Sequence, residues 1–198
     1  MNIVFDLAGV VVTYDQAALI AEVFADPARH ATVRTDIIGH VDWLALDRGT
    51  LSQQDAIVRA AHRTGLSATA IGQFFAQMSA AWMPIAGTVD LLHRLHVKDY
   101  PFFCLSNMHA ASIAYLEQTY AFWAVFTGVM ISCRVQLIKP EPAIYAHLLA
   151  QHGLEASQTV FIDDTAVNLA AAAQLGIQTI QFENPVQCER QLQALGCT

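Results

Sequence analysis

The sequence predicts an α/β protein: a doubly wound, three-layer Rossmann-like core on a parallel sheet, with an all-helical cap inserted near the N-terminus. Three observations predict it. Short apolar runs alternate with helix-period segments from Pro84 to the C-terminal region. A lone apolar run, Ile3-Val4-Phe5, opens the chain. Between Asp15 and Met83 only helical periodicity is present. The boundaries that follow are 1–13 and 84–198 for the core and 14–83 for the cap.

Taken in order, Ile3–Phe5 reads as a fully buried strand closed by Asp6, with a chain break at Gly9 and a short extended flap at Val10–Val12. Helices are expected over Ala17–Ala25, stopped by Asp26-Pro27, and over Val33–Leu46. Ser52 with Asp55 three residues on resembles a capping box for Gln53–Thr64, which Gly65 ends. Ser67 is expected to cap the next helix, whose stripe is Ile71, Phe74, Phe75 and Met78, and Met83-Pro84 closes it. Thr88 is expected to cap a helix through Leu95. Strands are then expected at Phe102–Leu105, Gly128–Ile131, Thr159–Ile162 and Ile177–Phe182. Helices alternate with them at about His109–Thr119, Ala143–Gln151, Val167–Leu175 and Pro185–Leu195.

Composition excludes several classes. In 198 residues, 55% apolar and 14% charged content favours a large buried core over disorder. No apolar stretch approaches ~18 residues, so a membrane span is not expected. The start of the chain lacks a basic n-region and carries Asp6 in its apolar stretch, unlike a signal peptide. Cys104, Cys133, Cys188 and Cys197 are scattered, as reduced thiols of a cytoplasmic protein would be. The net charge of −7 argues against nucleic acid or an anionic membrane as partner. A monomer or homodimer is expected.

Four polar groups stand where strands end: Asp6, Ser106-Asn107, Lys139 and Asp163-Asp164. Parallel topology brings those ends to one edge of the sheet, where ligands bind in open α/β folds. Three carboxylates in one cleft call for a hard divalent cation, Mg²⁺ above others. The Ser106 hydroxyl, the Asn107 amide and the following helix start suit phosphate oxygens. Lys139 offers a fixed positive charge for a phosphoryl group in its transition state.

In these residues the chain resembles the haloacid dehalogenase-like hydrolases, in the phosphatase branch with a helical cap after the first strand. The motifs are Phe5-Asp6-Leu7-Ala8-Gly9-Val10, Leu105-Ser106-Asn107, Lys139-Pro140-Glu141-Pro142-Ala143-Ile144-Tyr145 and Phe161-Ile162-Asp163-Asp164-Thr165-Ala166-Val167-Asn168. The last two, with Ala171–Gly176, look like the sugar-phosphate phosphatases, including those for glucose 1-phosphate. The resemblance implies Asp6 as nucleophile, forming an aspartyl-phosphate from a small phosphorylated metabolite, a sugar phosphate in that branch. It implies Mg²⁺ on Asp6, the Ala8 carbonyl, Asp164 and Asp163, with Ser106, Asn107 and Lys139 binding phosphate. Asn168 would orient a metal ligand or water.

One position departs from the family pattern. Where its phosphatases usually carry a second Asp, two residues after the nucleophile, this chain has Ala8. General acid–base help is worth ~10²–10⁴-fold, and His40 and Asp15 are the nearest stand-ins by sequence. Two alternatives to a phosphatase follow: a metal-independent 2-haloacid dehalogenase, which the acid pair disfavours, and a catalytically impaired phosphate-binding relative. His93 and His96 read as a solvated helix face. Arg29, Arg34 and Arg48 read as surface charges, while Trp43 either lines the pocket or packs the cap.

Overall fold

The computed structural model describes residues 1–197. The first strand, β1 (Asn2–Phe5), leads through a turn to β2 (Val12–Thr13), which pairs antiparallel with β3 (Met83–Pro84). This two-stranded ribbon carries the chain into and out of the helical insert. Four further strands follow: β4 (Phe102–Ser106), β5 (Gly128–Ile131), β6 (Thr159–Asp163) and β7 (Gln178–Gln181). Together with β1 they form an all-parallel sheet in the order β5-β4-β1-β6-β7. The predicted five-stranded doubly wound core is therefore observed, with β1 at its centre.

Alternation explains why both faces of the sheet are covered. Ile3, Phe5, Phe102, Cys104, Val160 and Ile162 enter one apolar cluster, while Val4, Phe103, Leu105 and Phe161 enter the other. Every one of these ten is at most 4% exposed, so the strands read as continuous apolar runs. Burial of each large apolar side chain contributes about 1.5–3 kcal/mol.

The insert contains α1 (Gln16–Val23), α2 (His30–Thr32), a π-helical turn at Val33–Ile38, α3 (Val41–Arg48), α4 (Gln53–Thr64) and α5 (Ala68–Ala81). Its own cluster centres on Ile20, Val33, Ile71, Phe74, Phe75 and Met78. The core adds α6 (Ala86–His96), α7 (Ala110–Thr119), α8 (Ser132–Val135), α9 (Pro142–His152), α10 (Ala166–Gln174) and α11 (Pro185–Ala194).

Local expectations hold in part. Ser52 caps α4 as expected, its Oγ accepting from the Asp55 N–H at 3.1 Å, while the Asp55 carboxylate accepts from the Ser52 hydroxyl at 2.7 Å rather than from its backbone N–H. The single helix expected over Val33–Leu46 is instead two pieces. Gly39 ends the π-helical turn, and His40 restarts the chain as N-cap of α3, its Nδ1 accepting from the Asp42 N–H at 3.1 Å. Ser67 stands at the N-cap of α5 without a side-chain bond. Thr88 is not a cap: α6 begins two residues earlier, and Thr88 lies inside it, fully buried. Among the described residues no helix is long and apolar enough to cross a membrane.

Two left-handed glycines separate conformational from steric cost. Gly49 (φ +79°) presents a position where a Cβ would lie 2.3 Å from the Cys133 carbonyl oxygen, while Gly65 (φ +68°) faces open space. Gly65→Ala should cost about 1–2 kcal/mol, the left-handed penalty alone. Gly49→Ala should cost distinctly more, because backbone of α8 must also move. Equal losses in urea unfolding would mean that α3 is not pressed against the core at this point.

Candidate active site

Asp6 extends β1 by one residue, its N–H donating to the Ile162 carbonyl at 2.9 Å. Its side chain is fixed at both oxygens. Oδ1 accepts from the Leu7 N–H at 2.7 Å, and Oδ2 lies 2.8 Å from Lys139 Nζ. The same ammonium stands 2.7 Å from Asp163 Oδ2. Asp6, Lys139 and Asp163 are all at most 5% exposed, so one buried cation faces two buried carboxylates. Burial pushes Asp6 from 3.8 up to about 7; Lys139 opposes the rise and Asp163 adds to it. Burial alone would lower Lys139, but the two carboxylates outweigh it and hold the ammonium above its ordinary value.

Asp163, the last residue of β6, is the most fully bonded of the acids. Oδ1 accepts from the Thr165 N–H at 2.7 Å, and Asn168 Nδ2 reaches both oxygens at 3.1 and 3.0 Å. Asn168 is held in turn by Tyr145, whose hydroxyl donates to its carbonyl at 2.9 Å. Asp164 is exposed, and its Oδ1 accepts from Thr165 Oγ1 at 3.1 Å. One oxygen from each of Asp6, Asp163 and Asp164 lies within 4.8 Å of the others. Gly9 (φ +79°) closes this corner, where a Cβ would meet Asp164 Oδ2 at 2.3 Å. An all-oxygen acidic donor set, with a glycine that lets the Asp164 carboxylate pack in, fits a hard divalent cation.

Ser106 ends β4 fully buried. Its hydroxyl is near enough to Asp6 to oppose that acid's rise, yet it meets no partner in hydrogen-bond geometry. An orphaned buried hydroxyl is unusual and invites a ligand oxygen. Asn107 also lines the cleft, but its amide is mostly engaged. Nδ2 donates to the Lys139 carbonyl at 2.9 Å, and Oδ1 accepts from the Lys139 N–H at 2.9 Å. Sequence reasoning assigned Asn107 to phosphate; the structure shows it clamping the backbone that carries the lysine. The cleft of about 340 Å³ is lined by Asp6, Ala8, Asn107, Lys139, Asp164 and Asn168, among others.

Residues 1–176 match the family model for haloacid dehalogenase-like hydrolases. The chain belongs to that family. It is 25% identical over 195 residues to the sesquiterpene phosphatase astK of Aspergillus oryzae, covering 98% of this chain and 96% of the relative. It is 24% identical over 202 residues to the D-ribitol-5-phosphate phosphatase of Bacteroides thetaiotaomicron, covering 96% of each. The structure of the HAD family enzyme bt-2542 from Bacteroides thetaiotaomicron, in complex with magnesium and inorganic phosphate, superposes with a TM-score of 0.74. That match is 22% identical and covers 92% of this chain and 93% of the other. This haloacid dehalogenase-like hydrolase is thus an enzyme with full-length relatives that are phosphatases.

The helical insert closes the cleft of this hydrolase in a way the sequence did not disclose. His40 and Asp15 are both occupied as helix caps, Asp15 accepting from the Ala18 N–H at 2.9 Å, and neither lines the cleft. Asp47 comes nearer, lining a neighbouring pocket. Beside the main cleft lies a pocket of about 140 Å³, lined by Ala8, Tyr14, Trp43, Asp47, Trp82 and His109 among others. Asp47 is 9% exposed; burial pushes it from 3.8 up to about 7, opposed by the His109 N–H and the Trp43 indole. Arg48, expected at the surface, bonds Glu141 with both terminal nitrogens, Nη1 to Oε2 at 2.8 Å and Nη2 to Oε1 at 2.5 Å. Trp43 both lines the pocket and stacks on Phe75. A signal for Asp47 existed: an acid in the last turn of a helix opposes the macrodipole and needs another reason to be there.

Two outcomes test this geometry. Gly9→Ala should weaken Mg²⁺ binding, read by calorimetric titration, while the fold persists; unchanged affinity would place the ion elsewhere. Folded Asp47 keeps its proton up to about pH 7, unfolded Asp47 only to 3.8. The unfolded chain sheds that proton first, so this residue's contribution to stability falls as pH rises through that window. Asp47→Asn should therefore gain on the parent between about pH 4.5 and 7.5, at up to ~1.4 kcal/mol per unit. A constant gap in urea unfolding would contradict the raised value.

Proposed function

We propose that the protein is a Mg²⁺-dependent phosphomonoesterase that hydrolyses a small phosphorylated metabolite through an aspartyl-phosphate on Asp6. The observation that carries this reading is the fixed, buried Asp6 carboxylate beside an unpartnered Ser106 hydroxyl and the Lys139 ammonium. Such a carboxylate is a prepared nucleophile, since its direction is set before substrate arrives. Asp6, Asp164, Asp163 and the Ala8 carbonyl would hold the cation, which when bound offsets the charge of the phosphoryl group.

The remaining work falls to side chains. Asp6 attacks phosphorus, the ester bond to the leaving oxygen breaks, and water later releases phosphate and regenerates the carboxylate. Lys139 stays protonated and sits where charge develops on the phosphoryl oxygens. Ser106 gives its free hydroxyl to one of those oxygens. Asn107 and Asp163 keep the lysine in place through its backbone and its ammonium. A sugar phosphate is the substrate class that the motifs of the last two strand ends favour. The dehalogenase alternative leaves the exposed carboxylate of Asp164 without a role.

Phosphate release should require Mg²⁺, stop on chelation and fall to background in Asp6→Asn. A panel of sugar phosphates with one aryl phosphate measures all three. Metal-independent halide release from 2-haloacids would decide for the other chemistry.

A further inference from the structure

We propose that Asp47, carried by the helical insert, is the proton-transferring group of this hydrolase, acting across the small pocket from Ala8. The proposal rests on the phosphomonoesterase reading. Ala8 has no transferable proton, and its methyl group leaves the pocket of about 140 Å³ open between itself and Asp47. The pocket borders the main cleft: Ala8, Tyr14, Trp82 and Asn107 line both. A leaving group that departs from phosphorus on the side of Ala8 enters this space and meets the Asp47 carboxyl.

Three contacts fix the end of α3 so that Asp47 points inward. Ser132 Oγ donates to the Asp47 carbonyl. Arg48 forms its two-bond ion pair with Glu141, two residues after Lys139. Gly49 turns left-handed against the Cys133 backbone. The acid is thus registered on the core from the same loop that bears Lys139 and from α8, the helix before it. A proton donor is useful only if its position is fixed relative to the reacting atoms.

The surroundings leave Asp47 free to exchange a proton near neutrality. The titratable groups around it are Tyr14, His109 and Cys133. Burial holds His109 down at about 4, so it is neutral at pH 7, and burial raises Tyr14 and Cys133, which stay neutral too. The neighbouring Arg48 is committed to Glu141. Asp47 itself is raised to about 7, close to the value a general acid needs at working pH.

In the first step the Asp6–phosphorus bond forms and the phosphorus–oxygen ester bond breaks. The proton of Asp47 passes to the leaving oxygen, giving a neutral alcohol. In the second step the Asp47 carboxylate takes a proton from water as that water attacks the aspartyl-phosphate. Inorganic phosphate leaves, Asp6 is again a carboxylate, and Asp47 is again protonated.

The test compares parent, Asp47→Asn, Asp47→Glu and the double variant Ala8→Asp with Asp47→Asn on a series of aryl and alkyl phosphates with Mg²⁺, across pH. Asp47→Asn should lose about 10²–10⁴-fold in kcat/KM on alkyl phosphates and much less on p-nitrophenyl phosphate, whose leaving group needs no proton. The alkaline limb of the parent's pH profile should vanish in that variant. Adding Ala8→Asp to Asp47→Asn should recover part of the alkyl-phosphate activity, and Asp47→Glu should retain part of it. Loss that is equal for all leaving groups, or an unchanged pH profile, overturns the assignment while the phosphatase reading stands. If the parent hydrolyses no phosphate ester at all, both fall together.

Discussion

The structure depends on one arrangement, the Lys139 ammonium shared between Asp6 and Asp163 in space closed to water. Two carboxylates cannot sit buried at this range without a cation, and a single lysine leaves one negative charge uncompensated. Removing the lysine would leave like charges facing each other in low dielectric. The residual charge also explains the shape of the site. Asp164 lies at the open side of the cleft, and Gly9 leaves room there for its carboxylate. A divalent ion there would complete the electrostatics that the protein alone leaves unfinished.

The rest of the core serves to hold that lysine. It lies in a loop after α8, so a strand does not position it. Asn107 substitutes for the missing ladder with two hydrogen bonds to the Lys139 backbone. Asp163 is steadied by Thr165 and Asn168, and Asn168 by the buried Tyr145. Each link ties a different strand end to the same ammonium. The geometry of Asp6 is therefore a property of the β1, β4 and β6 ends together, which the parallel sheet beneath them brings to one edge.

The fold was legible because both signals it needs are local. Apolar runs such as Phe102–Leu105 and Thr159–Ile162 announce buried strands, and the residues that close them announce the site. Asp6, Lys139 and the Asp163-Asp164 pair could be placed together at one edge of the sheet for the same reason. The insert resisted reading where structure depends on packing. Its apolar periodicity passes unbroken through Gly39, whereas the chain breaks there because His40 caps a new helix. Asn107 was assigned by chemistry to a phosphate, while its partner, the Lys139 backbone, is 32 residues away. Arg48 read as a surface charge and Asp47 drew no reading, since their partners at the start of α7, in α8 and in the Lys139 loop appear only once the insert is folded over the core.

Position 8 and position 47 are best understood as a pair. An acid at position 8 would share a pocket of about 140 Å³ with Asp47, and two carboxyls in so small and dry a space raise each other's proton affinity. The pair would then share one proton, and neither would titrate as a lone acid does. A small side chain on the core and an acid on the insert remove that conflict and leave room for a leaving group between them. The arrangement also makes the chemistry conditional on the insert. The Arg48–Glu141 pair and the Ser132 bond hold α3 on the core, so that the pocket of Asp47 adjoins the cleft of Asp6. On the proposed assignment, the contacts that seat α3 also set the proton donor, whereas Asp6 and Lys139 are held by the core alone.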